Sequence, residues 1–155
     1  MYQILTCLTV DHDPRYTVAA VAICVMGCFL TMRLFARARQ SKSLQRANWL
    51  FLAGMIGGTT IWTTHFVAML GYQAPGSVGF LPGFTGLSFI ISVAATTAGF
   101  AIATYGGDSP LAEGGGLVVG LGIACMHYTG MAAYSVQGSL VWEPAYVVTR
   151  SEEHT

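Results

Sequence analysis

Where charge is missing constrains this chain more than any motif does. From Ala47 to Gly107 there is no Asp, Glu, Lys or Arg, and there is none from Gly114 to Trp142. A soluble domain spreads about 25% charged residues over its surface. Here 9% of the residues are charged, 54% are hydrophobic and the mean hydropathy is +0.58. Such uncharged stretches cannot form a face bathed in water. They divide instead into segments of about 20 apolar residues, the length that crosses the hydrocarbon core as a helix.

Four such helices are predicted, over residues 16–35, 49–71, 84–105 and 114–134. Pro75, Gly76, Pro82 and Gly83 separate the second from the third, and Gly106, Gly107, Ser109 and Pro110 separate the third from the fourth. The expected fold class is all-α, a polytopic transmembrane helix bundle with four complete spans and the start of a fifth in Leu140–Val148. Residues 1–15 form an outer N-terminal segment and 16–149 the membrane domain. No basic stretch, apolar run and small-residue cleavage site stand in series at the N-terminus, so the first span is not a signal peptide.

Net charge is zero and carries no message, but placement does. Arg33, Arg37, Arg39, Lys42 and Arg46 are five of the seven basic residues and lie between the first two spans. The positive-inside rule puts that connection in the cytoplasm. The N-terminus with Asp11, His12 and Asp13, the loop of residues 72–83 and the segment after Tyr134 are then outside. Nucleic acid is not an expected partner; the bilayer is. The cysteines are expected to be reduced packing residues, Cys24 and Cys28 one turn apart and Cys125 inside the fourth helix.

Shifting the chain by 62 residues lays the second helix on the fourth. Six positions are then identical: Gly54 with Gly116, Gly58 with Gly120, Ile61 with Ile123, His65 with His127, Met69 with Met131, and Tyr72 with Tyr134. At about 3.6 residues per turn they fall in one stripe roughly 80° wide. One half of each stripe is Gly-x-x-x-Gly, which lets membrane helices approach closely. The other half is His, Met and Tyr, with His and Met neighbours at i and i+4. Both helices run outward, so His65 and His127 share a depth, about 9–10 Å below the outer end at 1.5 Å per residue. Ionisable residues inside a membrane are costly, and their presence points to function.

The run Met126-His127-Tyr128-Thr129, followed by Gly130 and Met131, resembles the signature of the MHYT domain, and Ile61-Trp62-Thr63-Thr64-His65-Phe66-Val67-Ala68-Met69 resembles that family's first motif. The resemblance implies a bacterial inner-membrane sensor built of helix pairs, with three motifs near the outer face. It further implies bound copper, response to a diatomic gas or redox state, and a cytoplasmic cyclic-di-GMP or kinase output domain. Thr64 stands where the signature has methionine, and the third motif is absent. Residues 150–155, Arg-Ser-Glu-Glu-His-Thr, resemble a translated sequencing adapter, so they are read as a non-native tail and His154 is given no role.

Cuprous copper favours thioether and imidazole ligands. The candidate set is His65, Met69, His127 and Met131, with Met126 about 100° around the fourth helix. Tyr128 and Tyr134 suit hydrogen bonding to a histidine or bound oxygen. Haem with His65 and His127 as axial ligands, or an ion or proton path, are the alternatives. Enzyme activity is not expected in this chain, which shows no nucleophile–base pair, phosphate loop or paired carboxylates.

The orientation is testable with single cysteines in a background lacking the native ones. Ser77→Cys should react with an impermeant thiol reagent on intact cells and Ser41→Cys should not. Labelling at position 41 alone would invert the topology.

Overall fold

The computed structural model describes residues 13–72, 77–105 and 110–137. Four long helices account for most of them: α1 (Pro14–Gln40), α2 (Ser43–Leu70), α3 (Pro82–Tyr105) and α4 (Pro110–Ala133). Each is long and apolar enough to cross a membrane. The chain is an all-α, multi-pass membrane bundle. The expected start of a fifth helix and the tail at 150–155 lie outside the described residues, as do residues 1–12.

Local chemistry sets the helix ends. Asp13 caps α1, its carboxylate accepting from the Arg15 N–H at 2.9 Å, with Pro14 in the first turn, where its missing N–H costs nothing. At the other end the Ser41 hydroxyl donates to the Arg37 carbonyl at 2.9 Å. Ser43 then takes a left-handed φ of 53°, and α2 begins. Both helices run five or six residues further at this basic end than hydropathy indicates. Apolarity stops at the edge of the hydrocarbon, whereas Ala, Arg, Gln and Leu continue a helix readily.

The histidine end of the bundle holds an element not expected from the sequence. β1 (Ser77–Phe80) pairs antiparallel with β2 (Tyr134–Gln137), placing Phe80 opposite Tyr134. The Asp13 N–H donates to the Gly71 carbonyl at 2.9 Å, tying the start of α1 to the end of α2.

Sequential helices pack side by side, and α4 also touches α2. Small residues and hydroxyls make these contacts. A Cβ on Gly58 would stand 2.5 Å from the Val93 Cα, and the Ser92 hydroxyl donates to the Gly58 carbonyl at 2.9 Å. A Cβ on Gly54 would meet Thr97. The Trp62 indole N–H reaches both Ser88 Oγ (3.1 Å) and the Thr85 carbonyl (3.3 Å).

The repeat is not packed symmetrically. Gly116 and Gly120, counterparts of Gly54 and Gly58, have open space where a Cβ would go. Instead α4 meets α3 through Gly115, whose Cβ would stand 2.5 Å from the Gly99 carbonyl oxygen, and through Gly122, which faces Ala95. The expectation that both glycine pairs pack against a helix therefore holds for α2 and not for α4 among the described residues.

Valine at these equivalent positions should separate the two roles. Gly58→Val should lower the stability of the purified 155-residue chain by about 1–3 kcal/mol through overpacking. Gly120→Val should change it by no more than about 0.5 kcal/mol. Unfolding in detergent followed by circular dichroism is the measurement.

Candidate metal centre

The polar half of the shared stripe converges where α2 and α4 touch. The histidine rings meet edge to face with centroids 4.9 Å apart, and Nδ1 of His127 lies 3.3 Å from Nδ1 of His65. Beside them is a cavity of about 370 Å³ lined by His65, Ala68, Met69, Tyr72, Met131 and Tyr134. Five of these six belong to the stripe; the sixth stripe residue of this half, His127, is the one in ring contact with His65.

Two polar atoms at this place lack partners. His65 Nε2 and Tyr134 Oη are buried with no hydrogen bond. A neutral imidazole has one N–H and one bare nitrogen, so a contact at Nδ1 leaves Nε2 unsatisfied in either tautomer. Each such atom costs roughly 1–3 kcal/mol; the Tyr134 hydroxyl, whose residue lines the cavity, would recover that cost by bonding a ligand there.

Ring positions depend on a second layer of contacts. Phe66, buried under His65 with centroids 5.1 Å apart, lies between Trp62 (4.7 Å) and Phe80 of β1 (5.3 Å). Phe80 in turn lies 5.8 Å from Tyr134. Gly130 of α4 closes the other side, since a Cβ there would stand 2.6 Å from His65 Nε2. Sequence reading missed Phe66, Phe80 and Gly130. Gly130 lay within the quoted motif run, but its repeat counterpart is Ala68, so the identity stripe passed over it. Nothing in the sequence announced that Phe80 would be brought here by the pairing of β1 with β2.

Of the five residues singled out, His65, Met69 and Met131 line one cavity, with His127 against His65. Met126 does not join them: it is 2% exposed, buried in the bundle, and does not line the cavity. Its counterpart, Thr64, likewise has a buried hydroxyl without a partner. Tyr128 is 74% exposed and also lies outside the cavity wall, whereas Tyr134 is part of it. Cys24, Cys28 and Cys125 are free thiols.

These groups fit a soft metal ion. Two ligands of one ion stand at most about 4 Å apart, twice a metal–nitrogen bond of about 2 Å, and the facing nitrogens are within that span. Among the described residues no three of His, Cys, Asp and Glu cluster. Further donors at this cavity would therefore be the thioethers of Met69 and Met131, the ligand type that cuprous copper prefers.

Four spanning helices with paired imidazoles on a repeated face define a multi-pass membrane module with its polar chemistry near one end of the bundle. The chain belongs to the MHYT family: the family described as "Bacterial signalling protein N terminal repeat" matches residues 58–116 and 120–150. Similar proteins include an uncharacterized signaling protein of Caulobacter vibrioides, 42% identical over 95% of this chain and 18% of its own length. Two from Pseudomonas aeruginosa follow. The cyclic di-GMP phosphodiesterase NbdA is 32% identical over 86% of the chain and 17% of its own length. The bifunctional diguanylate cyclase/cyclic di-GMP phosphodiesterase MucR is 29% identical over 83% of the chain and 19% of its own length. The chain thus spans less than a fifth of these relatives. No solved structure matches it.

Gly130→Ala tests the fit of the two helices. The methyl group should force the His65 ring away from His127 and shift the imidazole nitrogen NMR signals of both. Ala68→Gly at the equivalent place should leave them unchanged. Unaltered signals in Gly130→Ala would refute the contact.

Proposed function

We propose that this domain holds a copper ion between α2 and α4 and serves as a sensor of a diatomic gas or of redox state. The observation that carries the reading is the approach of His65 and His127 to 3.3 Å beside a cavity walled by two methionines. His65 and His127 would be the imidazole ligands, Met69 and Met131 the thioethers. The ion would supply a soft, redox-active centre reached by small apolar molecules dissolved in the membrane. Tyr134 would offer its hydroxyl to whatever enters the cavity, and Gly130 and Phe66 would hold the His65 ring in place.

In this reading the domain lies in the bacterial inner membrane, with the histidine end outside and the five basic residues inside. Two similar proteins are named for cyclic di-GMP enzymes. The signal would accordingly pass to a cytoplasmic output domain elsewhere in a longer protein, and the catalysis would belong to that domain. Haem is the weaker fit. His65 and His127 would be its ligands, but their nitrogens meet directly at 3.3 Å and the rings would have to part to admit it.

Metal analysis and an absorption spectrum of full-length protein from copper-replete cells provide the test. One copper per domain and no Soret band are expected. His127→Ala should reduce copper to background. Met69→Leu should weaken binding with the fold intact, because the swap nearly conserves volume. Tyr72→Phe should retain the metal. Protein without copper, or full retention by His127→Ala, would sink the proposal, and a strong Soret band would favour haem.

A further inference from the structure

The basic end of the bundle carries a second cavity, unrelated to the histidines. It measures about 360 Å³ and is lined by Arg37 and Ser41 at the end of α1 and by Gln45, Asn48, Trp49 and Leu52 on α2. The α2 residues follow the spacing i, i+3, i+4, i+7, so they form one face. Together with the last turn of α1 they make a cleft whose rim is polar and whose far wall is apolar.

The charge in this cleft is uncompensated. No Asp or Glu occurs anywhere from Pro14 to Gly107, so α1, α2 and α3 offer Arg37 no carboxylate. Two neighbouring cations are engaged elsewhere. Arg33 lies over the Phe29 ring at 5.3 Å, while Arg46 donates to the Ser41 carbonyl at 3.0 Å and lies over Tyr105 at 5.7 Å. Arg37 lies over the Trp49 ring at 5.7 Å and makes no ion pair among the described residues. That stacking fixes the guanidinium at the cleft mouth with its N–H groups free for an anion. The carboxamides of Gln45 and Asn48 are exposed beside it.

We propose that this cleft binds the phosphate headgroup of an anionic phospholipid. Arg37 meets the phosphate, Gln45 and Asn48 donate to its oxygens or to the polar headgroup, and the first acyl carbons run along Trp49 and Leu52. Leu52 is 44% exposed and the adjacent Phe51 56%, so the apolar wall continues toward the hydrocarbon. A free phosphate would satisfy Arg37 and leave that wall uncovered; a lipid covers both. The position fits as well, because the cleft lies where α1 and α2 outrun the apolar span. Basic pockets at that level are where anionic headgroups bind. The inference rests on the chain spanning a membrane and on nothing at the histidine end.

Native mass spectrometry of the 155-residue chain in detergent, titrated with phosphatidylglycerol or phosphatidylcholine of matched acyl chains, is the test. One phosphatidylglycerol per chain should be retained in preference to phosphatidylcholine. Arg37→Gln should weaken that retention about fivefold, the worth of one basic side chain at an anionic surface. Asn48→Leu should weaken it without changing charge, Arg37→Lys should restore most of it, and Arg39→Gln should leave it unchanged. Helix content by circular dichroism confirms that each variant is folded. Equal retention of both lipids, or an equal loss in Arg39→Gln, would show diffuse surface charge and overturn the site. Displacement of the lipid by excess inorganic phosphate would make it a free-anion site and overturn the lipid assignment.

Discussion

In a bilayer nothing apolar drives helices together, because lipid tails are as apolar as leucine. Among the seams that hold this bundle, the one where α2 lies against α3 carries interhelical hydrogen bonds. There Gly54 and Gly58 let the backbones come together, the Ser92 hydroxyl donates to the Gly58 carbonyl, and Trp62 reaches Ser88 and Thr85. Interhelical hydrogen bonds in membranes average about 0.6 kcal/mol, so no single one matters greatly. Their geometry does. Each requires α2 and α3 in one register, and Trp62 is one turn from His65. This seam thus helps set the depth and direction of the histidine.

The repeat turns one helix design into two environments. α2 has neighbours in α1, α3 and α4, and its glycine pair is filled. α4 is held chiefly by α3, and its glycine pair faces open space. The same asymmetry appears at the polar end. Phe66 is buried whereas its counterpart Tyr128 is exposed, and Met126 is buried where α2 has the smaller Thr64. Identity on the stripe fits the meeting of α2 and α4 through it at the histidine end, while off-stripe residues answer to different surroundings.

Much of this was legible in the sequence. The charge-free stretches gave four spans whose cores match α1 to α4. The stripe shared by residues 54–72 and 116–134 picked out five of six cavity-lining residues, because a face repeated at helical period reports a common constraint. Three things were not legible. The extension of α1 and α2 through Arg37, Arg39 and Gln45 is hidden because hydropathy measures lipid contact and not helicity. The pairing of Ser77–Phe80 with Tyr134–Gln137 depends on segments far apart in sequence, and neither carries a strong strand pattern. The burial of Met126 is hidden because an angle on an isolated helix does not say which edge the bundle covers.

His65 concentrates the physical argument for a ligand. An imidazole at this depth is costly in itself, and a solvated histidine would lower that cost by turning toward water. Here the ring is instead fixed on three sides: Phe66 below, His127 at Nδ1, and Gly130 beside Nε2, where even a methyl group would not fit. The side chain is thus held firmly while one of its nitrogens stays unsatisfied. Packing alone would be served better by leucine, which fills similar space with no orphaned nitrogen. The contact between α2 and α4 is also far sparser than that between any two sequential helices, so the histidines meet where little else joins α2 to α4.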